Sequence, residues 1–116
     1  MNIKVFYDSI GGSYEDAIQR LMNDTLIEKF LKKFKDYDFS KLTSAVNDKD
    51  YYQIFVEAHT LKGVALNLSL MKLGESASKL TELLRGEERN SVPYEQIYNL
   101  YQLIERNYNL VIENLD

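Results

Sequence analysis

The sequence predicts an all-α fold, an up-down antiparallel four-helix bundle with a short helical appendage at its N-terminus. Two observations lead to this fold class. There is a single proline among 116 residues, and helix-forming residues are abundant. The second half carries apolar residues spaced alternately by three and four positions, which is the spacing needed where bundle helices pack side by side. The length predicts one domain, with the appendage in residues 1–22 and the bundle in about 25–116.

Four short helices are predicted in the first half, at about residues 3–10, 14–22, 25–35 and 39–46. Gly11 and Gly12 end the first, because glycine favours the left-handed backbone found after helices. Ser13 suits the N-cap of the second. Thr25 and Glu28 have the spacing of a capping box for the third. The residues expected to be buried in the third and fourth helices are Leu26, Ile27, Phe30, Leu31, Phe34, Leu42, Ala45 and Val46.

Three longer helices follow, with strictly spaced apolar positions. The first begins after a turn at residues 47–50, the second follows Ser69, and a loop at 86–93 precedes the third. Their predicted buried residues are Ile54, Ala58, Leu61, Ala65 and Leu68; then Leu70, Leu73, Ala77, Leu80 and Leu84; then Ile97, Tyr101, Ile104, Tyr108, Val111 and Leu115. Short connections between such helices favour antiparallel neighbours.

Composition narrows the possible functions. The absence of cysteine excludes disulfides, and with a single histidine it argues against a zinc site. The net charge of −4 argues against nucleic acid as a partner. The sequence has no signal-peptide pattern and no apolar run approaching the ~18 residues of a membrane span. A soluble cytoplasmic domain without membrane association is therefore expected.

The one histidine, His59, is the most informative residue. Helical geometry places it about 140° from the predicted buried face, so its side chain should face solvent. Lys62 follows one turn later, and Gly63 projects still further outward. A glycine inside a long helix costs roughly 0.5–1 kcal/mol relative to alanine, a cost tolerated where another molecule must approach the backbone.

Apolar and aromatic residues surround this histidine on the same face. Tyr52, Phe55 and Leu66 are expected to form a docking surface around it together with Gly63. A neutral imidazole is nucleophilic near pH 7, and Lys62 is placed to offset the charge of a phosphoryl group on His59. The sequence offers neither a glycine-rich nucleotide loop nor a metal-binding acidic cluster, so an ATP-dependent kinase is not expected.

Simpler explanations exist for each residue. A lone outward histidine is most often an ordinary surface residue, and Lys62 alone is a solvated side chain. Phe55 and Leu66 lie near the border of the buried face and are alternatively core residues. The basic cluster Lys29, Lys32, Lys33 and Lys35 is interpreted as the exposed face of the third helix.

The segment from Ala58 to Leu68, AHTLKGVALNL, closely resembles the signature A-H-x-L-K-G-x-A-x-x-L of histidine-containing phosphotransfer (HPt) domains. The likeness continues through Leu73-Gly74-Glu75-x-Ala77-x-x-Leu80 and covers most of the chain. It implies a four-helix bundle whose exposed histidine, His59, accepts a phosphoryl group, commonly on Nε2, with Lys62 as supporting cation and Gly63 as clearance for the partner. The sequence departs from the family at Ser69, where glycine is usual, and at Leu66, where many members have a small residue.

The resemblance implies a phosphoryl carrier of a multistep His-Asp phosphorelay, not an enzyme with catalytic machinery of its own. The implied partners are receiver domains of response regulators and hybrid sensor kinases, and no cofactor is expected because the Mg²⁺ ion belongs to the receiver domain. A monomer is expected, although the bundle is compatible with a homodimer. The alternatives are a module that binds receiver domains without phosphoryl exchange and a general helical scaffold.

Overall fold

The computed structural model describes residues 1–115, and within them every regular element is helical, which confirms the all-α prediction. The α-helices are α1 (Ile3–Ile10), α2 (Tyr14–Leu21), α3 (Asp24–Phe34), α4 (Ser40–Asn47), α5 (Tyr51–Asn67), α6 (Met71–Leu83) and α7 (Tyr94–Asn114). The predicted loop before α7 contains a short 3₁₀ helix, Arg89–Ser91. None of the helices in residues 1–115 is long and apolar enough to cross a membrane.

Polar caps define most helix starts, and one predicted cap is wrong. Ser13 accepts a hydrogen bond from the backbone N–H of Asp16, and Gly11 ends α1 with a left-handed φ of 66°, both as predicted. The capping box at Thr25 does not form. Asn23 is the N-cap of α3 instead, and its side chain accepts from the backbone N–H of Leu26. Asparagine is at least as good an N-cap as threonine, so the earlier residue begins the helix.

Helix α5 is central to the packing. It lies against α4 and α6, while α7 covers α6 and also contacts α4. Helix α1 packs on α7 and α3, so the N-terminal segment shares the core. The arrangement of these helices as an up-down bundle of four stays a prediction.

The predicted buried faces of α5, α6 and α7 are largely confirmed. Every predicted core position in these helices is buried, except that Tyr108 is half-buried. In α3 the prediction was wrong for Phe30, which is 38% exposed, and Leu26 is only half-buried. Ile27, Leu31 and Phe34 are buried as predicted. Phe30 instead lines an apolar surface groove together with Leu21, Phe34 and Leu68.

The N-terminal helices hold the turn that follows α5. The fully buried Tyr7 donates its phenolic hydrogen to the carbonyl oxygen of Leu68 at 2.7 Å, which satisfies an acceptor at the helix end. The backbone N–H of Ser13 donates to the carbonyl oxygen of Ser69 at 3.2 Å. These two hydrogen bonds fix the end of α5 to the segment that precedes α3.

Ser69 takes the left-handed backbone conformation that glycine adopts most easily. Its φ is 57°, and the backbone bonds from Ser69 to Leu66 and from Leu70 to Ala65 form a Schellman motif. The Ser69 hydroxyl donates to Asp16 Oδ2 at 2.6 Å, and this hydrogen bond, followed by that from Arg20, keeps the pKa of Asp16 below its ordinary value. A hydrogen bond to α2 therefore supports serine in this left-handed turn.

Candidate functional site

His59 lies on the solvent side of α5, as predicted. Asp50 caps this helix by accepting from the backbone N–H of Gln53, and the opposite face is held in the core by Ala58, Leu61 and other fully buried residues. The helix thus fixes the direction of His59 while leaving its imidazole exposed. An exposed neutral imidazole is available as a nucleophile to a second protein.

The ring of Phe55 stacks beside the imidazole one turn earlier in α5. The two ring centroids are 6.0 Å apart, with 29° between the ring planes. Phe55 is half-buried and packs against the core. It therefore contributes to the exposed surface and also anchors that surface to the core. Tyr52, one turn before Phe55 in α5, is 60% exposed.

Two arginines that the sequence interpretation missed lie over these aromatic rings. The Arg85 guanidinium is 5.5 Å from the centroid of Phe55. The Arg89 guanidinium is 5.2 Å from the centroid of Phe55 and 5.3 Å from that of Tyr52. Arg85 follows α6 and Arg89 begins the 3₁₀ helix, and the packing of both elements on α5 brings the two arginines to the face that carries His59.

Lys62 shares a carboxylate with one of these arginines. Its Nζ is 3.7 Å from Glu82 Oε1, and Arg85 donates to both oxygens of Glu82, from Nε at 3.0 Å and from Nη2 at 3.1 Å. The hydrogen bonds from Arg85 are the main cause that lowers the pKa of Glu82 below its ordinary value. The cationic side chains of Lys62 and Arg85 thus share the carboxylate of Glu82 on this side of the face.

Gly63 and Leu66 differ in what surrounds them. A methyl group added at Gly63 would meet no atom within 4 Å, so the backbone there is open to an approaching molecule. Leu66 is half-buried and lies against Gly74 of α6, where an added Cβ would come within 2.4 Å of its Cδ2. Leu66 therefore contributes to the contact between α5 and α6, and its predicted role in docking stays a prediction.

Together these residues form one continuous face, called here the His59 face: His59, Tyr52, Phe55, Lys62, Gly63, Glu82, Arg85 and Arg89. It offers a nucleophilic nitrogen, exposed aromatic surface and cationic groups. Within residues 1–115, no group of three or more His, Cys, Asp or Glu side chains is arranged to hold a metal ion.

Comparison with known proteins gives one match. The family model described as Hpt domain matches residues 25–110. No curated protein and no solved structure matches the chain significantly. The matched region contains nearly all of α3, the whole of α4 to α6, most of α7 and the whole His59 face, so this chain belongs to the Hpt domain family.

Proposed function

We propose that the protein carries phosphoryl groups in a His-Asp phosphorelay: His59 accepts the group from a receiver-domain aspartate and passes it to another receiver domain. The observation that supports this most is the exposed imidazole of His59 at the centre of the His59 face. Hpt domains are phosphoryl carriers, and the family match includes this residue.

The transfer follows from the chemistry of imidazole. In the tautomer with hydrogen on Nδ1, the Nε2 lone pair attacks the phosphorus of the aspartyl phosphate. The N–P bond forms as the P–O bond to the aspartate breaks, and the carboxylate leaves while Nδ1 keeps its proton. The reverse reaction on a second receiver domain returns the imidazole to its starting state. Phosphoryl transfer passes through a loose transition state, and its rate depends mainly on alignment of the reacting atoms and on stabilisation of the negative charge. A Mg²⁺ ion on the receiver domain would supply part of this charge stabilisation.

The test is incubation of the protein with a receiver domain that carries labelled phosphate on its aspartate. Phosphoryl transfer predicts acid-labile, alkali-stable label on this chain, with concurrent loss of label from the receiver domain. Stable binding without transferred label would instead support the alternative of a module that only binds receiver domains. If a broad panel of receiver domains gave neither binding nor label, the remaining alternative would be a general helical scaffold.

Lys62→Ala should slow phosphoryl transfer about tenfold, which corresponds to ~1.4 kcal/mol. The ammonium of Lys62 lies one turn from His59 on the same helix, where it offsets the charge of the phosphoryl group. The rate is measured by rapid quenching after mixing with the labelled receiver domain. Lys29→Ala removes an equal charge from the exposed side of α3 and should leave the rate unchanged. Equal rates for both variants would remove Lys62 from the mechanism.

Gly63→Gln should weaken receiver-domain binding about tenfold while leaving the fold about 0.5 kcal/mol more stable. Glutamine favours a helix interior more than glycine does, but its side chain would occupy the open space over α5. Calorimetric titration and urea unfolding measure the two effects. Gly63→Ala adds only a methyl group and serves as the control. If Gly63→Gln strengthened binding, the backbone there would not be needed as clearance.

A further inference from the structure

Glu82 places a negative charge beside Lys62, the cation that follows His59 by one helical turn on α5. Its side chain is 54% exposed, and its Oε1 is shared by Lys62 and Arg85. A phosphoryl group on His59 would carry up to two negative charges and would repel this carboxylate. The arrangement in the unphosphorylated protein is therefore not the one favoured after phosphorylation.

The two cations hold Glu82 with unequal strength. The Lys62 contact of 3.7 Å is longer than a hydrogen bond, and exposed ion pairs of this kind are worth about 0–1 kcal/mol. Arg85 makes two parallel hydrogen bonds to the same carboxylate, at 3.0 and 3.1 Å, the stronger bidentate geometry. The contact with Lys62 is thus the one that breaks first.

Lys62 is also able to reach its new partner. It follows His59 by three residues, so the two side chains share one side of α5. Side chains on a helix lean toward its N-terminus, which directs Lys62 back toward the level of His59. The flexible stem of lysine lets its ammonium move between two nearby anions at little cost.

We propose, building on the function proposed above, that Glu82 is a placeholder for the phosphoryl group. In the unphosphorylated protein Glu82 holds Lys62 beside His59. When His59 is phosphorylated, Lys62 exchanges Glu82 for the phosphoryl oxygens, and Arg85 retains Glu82. Glu82 is thus a positioning residue that keeps the supporting cation ready and competes with the phosphoryl group for it.

The test uses potassium phosphoramidate, which phosphorylates exposed histidines without a partner protein. In protein labelled with ¹⁵N-lysine, the ammonium resonance of Lys62 is assigned by its loss in Lys62→Gln. In the wild type this resonance should shift on phosphorylation. In Glu82→Gln it should differ from the wild type before phosphorylation and coincide with it afterwards, because both proteins then share the same ion pair.

Glu82→Gln should also lengthen the half-life of phosphohistidine about threefold to fivefold, as expected when one competing surface ion pair is removed. Glu75→Gln is the matched control, because it removes the same charge from a position two turns earlier on α6. A wild-type Lys62 resonance that does not respond to phosphorylation would overturn the proposal. So would equal half-lives in the wild type and Glu82→Gln, or failure of phosphoramidate to modify His59.

These outcomes are separate from those of the relay itself. If receiver domains transfer label to His59 but Lys62 does not exchange partners, the phosphorelay function stands and the placeholder role of Glu82 fails. If Lys62 exchanges partners but no receiver domain transfers label, the relay function fails and the placeholder role stands.

Discussion

His59→Gln should abolish labelling of the protein by a phosphorylated receiver domain. Glutamine resembles histidine in polarity, but its amide has no nucleophilic nitrogen lone pair. Because His59 is exposed, the substitution should change the free energy of unfolding by no more than about 0.5 kcal/mol. Acid-labile label is measured after gel separation, and circular dichroism and urea unfolding establish that the helices remain.

The chain has a single histidine, so this experiment has no second phosphohistidine to confuse it. Thr60→Ala changes the next residue on α5, which is also exposed, and should retain full labelling. Acid-labile label persisting in His59→Gln would contradict the assignment of the phosphoacceptor. Unfolding of that variant would contradict the exposed placement of the imidazole.

Tyr7→Ala should lower the free energy of unfolding by about 3–5 kcal/mol, the usual cost of removing a buried aromatic side chain. Tyr7 is fully buried, and its ring meets that of Phe6 edge-on at a centroid distance of 5.2 Å. Its hydroxyl also satisfies the carbonyl of Leu68 at the end of α5. Urea unfolding followed by circular dichroism measures the loss.

Tyr7→Phe separates the ring from the hydrogen bond. It keeps the packing but leaves the Leu68 carbonyl without its donor, which should cost about 1–3 kcal/mol. Equal stability of Tyr7→Ala and the wild type would show that α1 contributes little to the fold. Equal losses in the two variants would assign the whole effect to the hydroxyl.

The sequence predicts the core and the direction of His59 well because both depend on helical periodicity alone. Residues such as Ile54, Leu61 and Leu80 are buried because an apolar residue at every third or fourth position puts them all on one side of a helix. The exposure of His59 follows from the same geometry. Nothing beyond the helix itself is needed for either prediction.

Predictions failed or were missed where residues compete locally or meet through tertiary packing. Asn23 and Thr25 are both good N-caps, and the spacing to Glu28 favoured the wrong one. Arg85 and Arg89 gave no signal, because the i, i+3 pair of Glu82 with Arg85 resembles any surface ion pair until α6 is placed against α5. The ion pair of Lys62 with Glu82 was not predicted for the same reason.

The serine in the turn after α5 has a consequence for stability. A non-glycine residue with a φ of 57° is unfavourable by itself, and here the Asp16 carboxylate, 53 positions earlier in the chain, compensates for it. Glycine at position 69 would remove this conformational cost, and the turn would then no longer depend on its hydrogen bond to Asp16. Substitutions at these two distant positions should therefore be coupled in their effect on stability, because the carboxylate in the second helix supports the turn only while a serine occupies it.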